Sequence, residues 1–471
     1  MQIISFILNN ETVSAELNPN STLLDFIRKK ERLTGTKEVC KEGDCGACSV
    51  LIGKLENGVV IYKNVTSCIY PVANAEGKHV VTIEGLNQNS LNKIQEVYAE
   101  ENAAQCGFCT PGFIVSTTEY FLNNPERNLE KAYDSISGNI CRCTGYGSIK
   151  RATERLVAEF PETPEDYNDR LNLLVAENII PEYFINIKDK LEKLSDKKET
   201  TEIPSKGNTI IAGGTDLFVQ RAEELLNEKG FFVKKLGESF IKEEENTIIL
   251  SGGTTFEEFA KSEIIQSLIP NIDKAMKLIA SQAIRNSATL AGNIANASPI
   301  GDMTMILLAL NANLRLKGIS EREIALSDFY LDYKKIDKAA DETIEEIFFS
   351  KPAKDFYFNF EKVSKRTHLD IASVNTAFAG VVKNGKIENA LISAGGIAPV
   401  PKVLKETSKF ISGKEINNEL LNGAIEIANS EISPISDVRG TADYKRLLLG
   451  QLIKAHFITL FPELLNIGEA I

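Results

Sequence analysis

Eight cysteines carry the strongest chemical signal, and all lie between residues 40 and 143 of a 471-residue chain. Cys40, Cys45, Cys48 and Cys68 are spaced C-x4-C-x2-C followed by a distant fourth. That is the plant-type [2Fe–2S] pattern, in which one loop supplies three thiolates and a separate segment the fourth. A four-cysteine zinc site usually uses two short C-x2-C hooks, and the x4 arm fits that poorly. In the loop CKEGDCGAC, Gly43 and Gly46 let the backbone turn tightly and aim N–H groups at sulfur. Cys106, Cys109, Cys141 and Cys143 form a second set, C-x2-C and C-x-C. Taken alone this set also suits zinc. Eight thiols dividing into two complete quartets favour redox metal chemistry in both, because a reducing compartment leaves clustered thiols free for metal rather than disulfides.

Two different wrappers are predicted around these quartets. In IISFILNNETVSAEL two strand-like runs meet at Asn9-Asn10, a hairpin signal. STLLDFIRKK follows as a short helix capped by Ser21 or Thr22. This order suits a β-grasp ferredoxin domain over residues 1–86. In CTPGFIVSTTEYFL, Thr110 is a cap and Pro111 a first-turn residue, with Ile114, Val115, Phe121 and Leu122 as an apolar stripe. SIKRATERLVAEF reads as another amphipathic helix, so the second quartet belongs to a helical domain, residues 87–165. PETPEDYNDR and EKLSDKKETTEIPSKGN are polar and rich in breakers. Residues 166–208 are therefore read as a linker, with LNLLVAENIIPEYF inside it able to pack on a neighbour.

The cysteine-free remainder is glycine-punctuated. Thr209 to Ile211 is a short β run entering a Gly213-Gly214-Thr215 turn that opens a helix. Exposed N–H groups at such a turn can bind phosphate, though most Gly-Gly turns are only turns. TIILSGGTTFEEF repeats the design, with Thr254 and Glu257 as a capping box. SQAIRNSATLAGNIANASPIGD is dominated by small residues, which suits close approach by a flat ligand or another segment. The chain has no G-x-G-x-x-G, so a Rossmann dinucleotide fold lacks support. His79, His368 and His456 stand apart from any nucleophilic arrangement and are left without a role.

Composition sets the frame. At 43% hydrophobic and 25% charged residues the chain is globular, and its length implies several domains. A formal net charge of −12 argues against a nucleic-acid surface. MQIISFILNN lacks a basic leader region and no apolar run approaches the roughly 20 residues of a membrane span, so a cytoplasmic protein is expected, with no membrane partner.

EGDCGAC, QCGFCTPGF and GNICRCTGY together resemble the iron–sulfur region of the molybdenum hydroxylases, the xanthine dehydrogenase and aldehyde oxidase group. The resemblance implies one [2Fe–2S] cluster in a ferredoxin-like domain and another in a four-helix domain near a molybdenum cofactor, with Gln105 contacting the pterin. IAGGTDL and ATLAGNIANASPIGD resemble the family's two flavin-binding stretches. By position, Ala212, Gly213, Gly214, Thr215 and Asp216 would hold the FAD pyrophosphate, and Gly292, Asn293, Ser298 and Asp302 would contact the flavin nucleotide. FEKVSKRTHLDIA resembles the start of the C-terminal flavoprotein domain and puts Lys362 near the flavin ring; its bland alternative is a solvated lysine. ISAGGIAPVPK and PISDVRGTADYKR match the same domain, where Gly395, Gly396 and Arg439 are read as structural.

The expectation is an α+β multidomain chain, with an α/β FAD-binding domain over 209–352 and a C-terminal α/β flavoprotein domain over 353–471. Nothing of the family's molybdenum-binding region is left before Ile471. The chain therefore resembles the small subunit of a split enzyme, with a large molybdenum-binding partner and two copies of each chain. Such a partner would hydroxylate hypoxanthine or xanthine. Electrons would pass through the second and then the first cluster to FAD, which converts single electrons to a hydride for NAD. The rival readings are another molybdenum hydroxylase acting on an aldehyde, nicotinate or other heterocycle, and a zinc-binding scaffold.

Overall fold

The computed structural model describes residues 1–194, 204–233, 237, 239–366 and 368–465. It divides into two units, each described by itself.

The first unit begins with the expected hairpin. β1 (Gln2–Leu8) and β2 (Glu11–Leu17) pair antiparallel with Leu8 opposite Glu11, and Asn9 takes the positive φ of 54° that a two-residue turn demands. β3 (Ser49–Glu56), β4 (Val59–Thr66) and β5 (His79–Val81) complete a sheet of order β2-β1-β5-β3-β4, in which β1 and β5 are parallel. Thr22 caps Leu23–Asp25, accepting from the Asp25 N–H at 3.1 Å. The cysteine loop lies between this helical turn and β3.

Four helices follow: α1 (Lys93–Glu100), α2 (Thr110–Asn123), α3 (Leu129–Ile136) and α4 (Gly147–Glu159). α2 departs from the expected stripe, because Gly112 to Leu122 are all buried. A helix buried all round must satisfy its polar side chains internally. Thr117 meets Tyr98 Oη at 3.1 Å, Thr118 donates to the Ile114 carbonyl, and Glu119 accepts from Asn123. Cys109, not Thr110, occupies the N-cap position, and Pro111 sits in the first turn.

The predicted linker needs correction. Tyr167–Ala176 and Ile187–Leu194 are helices, and Leu171, Leu174, Ile179, Ile180, Phe184, Ile187 and Leu191 belong to the same core as α2 and α4. The apolar residues lie between polar breakers, and burial overrode the breakers. Residues 195–203 of that stretch lie outside the described residues. Gly213–Lys235 and Ser281–Ser287 also group with this unit, although the sequence assigned them to the FAD domain.

In the second unit, Ile241–Glu244, Thr247–Ser251, Asn313–Lys317, Glu321–Ala325 and Thr343–Ser350 form one five-stranded sheet. A meander of Phe356–Val363, Val374–Lys383, Lys386–Gly395 and Lys402–Val403 forms another. The helices Asn418–Ser430 and Ala442–Leu460 share a core with Val374, Phe378 and Ile392. The expected capping box is displaced by one residue: Thr255 and Glu258 form it, while buried Thr254 donates to the Phe240 carbonyl.

Candidate electron-transfer sites

The first four thiols gather as the spacing requires. The Cys40 thiol is drawn well below its ordinary range by hydrogen bonds from Cys45 and Cys68, and Cys48 is lowered by Cys68. Cys45 and Cys68, the donors in those bonds, are raised. Positive φ at Lys41, Gly43 and Gly46 curls the loop, and the Glu42 N–H points at Cys40 Sγ from 3.4 Å. Cys48 and Cys68 are buried. The Ser49 hydroxyl, next to Cys48, is buried without a partner among the described residues. Four thiols linked in the row Cys45–Cys40–Cys68–Cys48, a backbone N–H donor and an orphaned hydroxyl fit a negatively charged sulfur-rich group.

The second quartet stands as two thiol pairs and is more open. Cys106 and Cys143 are exposed with their sulfurs 3.6 Å apart, while Cys109 bonds to buried Cys141. Burial and that bond push Cys109 up to about 12, whereas Thr144 pulls Cys141 down against its desolvation. Thr110 Oγ1, beside Cys109, is another buried hydroxyl without a partner among the described residues. Gln105 is exposed and makes no hydrogen bond among the described residues. Phe108, Ile140 and Tyr146, on the same two loops, are exposed apolar side chains.

The two quartets are joined by residues that the sequence did not single out. The Ile140 N–H donates to the Cys45 carbonyl at 3.0 Å, one peptide from Cys141. Asn139 Nδ2 donates to the Gly46 carbonyl at 3.0 Å, and its Oδ1 accepts from Ser116 Oγ at 2.7 Å. Ser116 in turn accepts from Asn64 Nδ2 at 2.7 Å. A Cβ on Gly112 would overlap the Gly46 carbonyl, so the helix approaches the first loop as closely as backbone allows. These three polar residues lie 52 and 23 positions apart in pairs, beyond any local pattern; only the small residue Gly112 within QCGFCTPGF hinted at a close contact.

The flavin candidates fall in two places. In the first unit Gly214 has φ 81°, and a Cβ there would lie 2.9 Å from Phe218 and 3.0 Å from Pro71, so this turn requires glycine. It opens the helix Thr215–Leu225, with Gly213 and Gly214 buried and Asp216 exposed. Ala212, which belongs to the second unit, follows the strand Thr209–Ile211 and is half-buried. In the second unit Thr289 caps Gly292 N–H at 3.1 Å, and Asn293 Oδ1 accepts from the N–H and hydroxyl of Thr304. Ser298 Oγ accepts from Ile300 N–H. Asp302 is gripped by Lys362 Nζ at 2.7 Å and Asn375 Nδ2 at 2.5 Å. Lys362 is 1% exposed and also donates to the Leu278 carbonyl, which removes its solvated alternative. Asn375 Oδ1 is buried without a partner among the described residues. A strained glycine turn at a helix start and an orphaned acceptor beside the Lys362–Asp302 pair each fit a bound polar cofactor. Gly395 and Gly396 are structural: a Cβ on either would overlap neighbouring atoms.

The histidines are structural. His79 and His456 are buried and pushed down to about 3 by burial, and His368 Nδ1 donates to the Lys277 carbonyl.

Four family models match consecutive parts of the chain. A 2Fe-2S iron-sulfur cluster binding domain matches residues 6–72 and a [2Fe-2S] binding domain residues 82–154. The FAD binding domain in molybdopterin dehydrogenase matches 186–352, and the CO dehydrogenase flavoprotein C-terminal domain 359–460. Among curated proteins, the xanthine dehydrogenase of Blastobotrys adeninivorans is 27% identical over 96% of this chain and 40% of its own length. Aldehyde oxidase 2 of Macaca fascicularis is 24% identical over 98% of this chain and 39% of its own. The chain thus spans about two fifths of these relatives. A chain of carbon monoxide dehydrogenase from Hydrogenophaga pseudoflava superposes with TM-score 0.51 at 25% identity, covering 54% of this chain and 89% of its own.

Proposed function

Because the chain belongs to the molybdenum hydroxylase family and carries that family's two [2Fe–2S] domains and its FAD domain, we propose that it is the electron-carrying subunit of a cytoplasmic xanthine dehydrogenase. Its partner is a large molybdenum-binding chain that hydroxylates hypoxanthine or xanthine, two copies of each assemble, and NAD is the final acceptor. When bound, the clusters supply one-electron transfer and FAD the two-electron exchange with nicotinamide.

The observation that carries this reading is the contrast in exposure between joined quartets. Cys106 and Cys143 lie open, flanked by exposed Gln105, Phe108, Ile140 and Tyr146, where a partner's donor can come close. Cys48 and Cys68 are enclosed, and the Ile140–Cys45 hydrogen bond links the two ligand loops. Gln105 contacts the pterin at that open face. Ala212 to Asp216 hold the pyrophosphate, and Gly292, Asn293, Ser298, Asp302 and Lys362 hold the flavin.

A second reading has support of its own: the similarity to an aldehyde oxidase and to a carbon monoxide dehydrogenase chain suits a partner with another substrate. The test is to co-purify the chain with its partner under anaerobic conditions. The proposal expects about four iron atoms and one FAD per chain, and purine-dependent NAD reduction. Aldehyde turnover without purine turnover selects the second reading, and zinc in place of iron overturns both.

A further inference from the structure

Thr144 follows Cys143 and turns back onto Cys141. Its hydroxyl lies 3.1 Å and its N–H 3.4 Å from Cys141 Sγ. The same hydroxyl oxygen accepts the Tyr146 N–H at 3.2 Å. A hydroxyl has one hydrogen and two lone pairs. With a lone pair engaged by Tyr146, its hydrogen is directed to sulfur, and Cys141 is the acceptor. Tyr146 closes the ring from the other side, its Oη accepting the Cys141 N–H at 3.1 Å. Left-handed backbone at Gly145 (φ 62°) and Tyr146 (φ 66°) holds this clasp in shape. Cys106 and Cys143, by contrast, face solvent and each other.

We propose that Thr144 sets the reduction potential of the second centre, acting through Cys141. The reduced centre carries one more negative charge than the oxidised one. A hydrogen bond to a coordinating sulfur therefore stabilises the reduced form more and raises the potential. Of the two bonds that Thr144 makes to Cys141, the hydroxyl's belongs to the side chain, and a substitution removes it while the N–H bond stays.

The inference rests on the second quartet holding a [2Fe–2S] centre, and the test separates the two. Thr144→Val and Thr144→Ser are made in the full chain, and each centre is titrated by paramagnetic resonance at controlled potential. The valine variant is expected to shift the second midpoint to more negative values, the serine variant to restore it, and the first midpoint to stay in place. A full iron complement with an unmoved second midpoint overturns the proposal. If the unmodified chain shows a single centre, the iron–sulfur assignment fails instead. Should Thr144→Val lose iron, Thr144→Ala removes the hydroxyl without a branched methyl and carries the same comparison. Loss of iron in both, with retention in Thr144→Ser, makes the hydroxyl a structural tether and also overturns the proposal.

Discussion

The two cysteine quartets use the same donors in opposite settings. The first is built into a sheet-bounded loop, with Cys48 and Cys68 at 2% and 7% exposure. The second hangs on two loops at helix ends, with two of its four thiols in solvent. Enclosure suits a carrier that only passes electrons within the chain. Exposure suits one that receives them from outside, and Phe108, Ile140 and Tyr146 are exposed beside it.

The largest effect expected comes from removing one ligand in each setting. Cys143→Ser should empty the second site and leave the first filled, so iron falls from about four to about two atoms per chain while the fold survives. Cys48→Ser acts inside the sheet domain, and loss of its centre should also unfold residues around the 40–48 loop. Iron analysis with limited proteolysis checks both. Equal proteolytic sensitivity in the two variants would erase the distinction between an open and an enclosed site.

Next in size is the wedge between the quartets. Gly112→Val forces a side chain against the Gly46 carbonyl, and overpacking of this kind costs about 1–3 kcal/mol. Both sites should still fill, but the loops separate and the Ile140–Cys45 hydrogen bond lengthens. The magnetic interaction between the two reduced centres, read by paramagnetic resonance, should then weaken. Ser116→Ala is gentler. It leaves Asn139 Oδ1 without its donor and Asn64 Nδ2 without its acceptor, at a cost of about 1–3 kcal/mol with the loops still in contact. Denaturant unfolding should show the loss, with the magnetic interaction nearly intact. If Ser116→Ala weakens the interaction as much as Gly112→Val, the polar chain rather than the backbone approach fixes the geometry.

These differences also show what the sequence made legible. Donor identity was readable because cysteine spacing states how a loop can wrap a cluster, and the Asn9-Asn10 turn was readable because positive φ is a local demand. The strut Asn64–Ser116–Asn139 was not, since its members come from a strand, a buried helix and a loop that only the tertiary fold brings together. The same holds for Lys362 and Asp302: each was placed near the flavin separately, and their ion pair needs the meander sheet to meet the helix Asp302–Ala309. The stretch 167–194 misled because its apolar residues sit between polar breakers, and their destination, the core beneath α2 and α4, has no local signature.

The smallest effect separates the two regions by acid. His79 is buried in the sheet domain, its Nε2 2.8 Å from the Asn9 carbonyl and its Nδ1 2.8 Å from Tyr62 Oη. A carbonyl only accepts, so Nε2 carries the proton and Nδ1 takes the tyrosine hydrogen; a second proton on Nδ1 would reverse that bond and displace the tyrosine hydrogen. Burial holds the folded pKa at about 3 against 6.5 for a free histidine. The unfolded chain therefore binds a proton first as pH falls. The contribution of His79 is fully present above 6.5 and is lost progressively between 6.5 and about 3. Residues 87–165 contain no histidine, so this acid sensitivity belongs to the first region alone, whereas carboxylates act on both. Urea unfolding from pH 7.5 to 4.5, followed through the first centre's absorption, should steepen below 6.5 by at most one proton, about 1.4 kcal/mol per pH unit. His79→Gln should start less stable and lose stability more slowly over that window. An unchanged slope would mean that His79 is not held neutral.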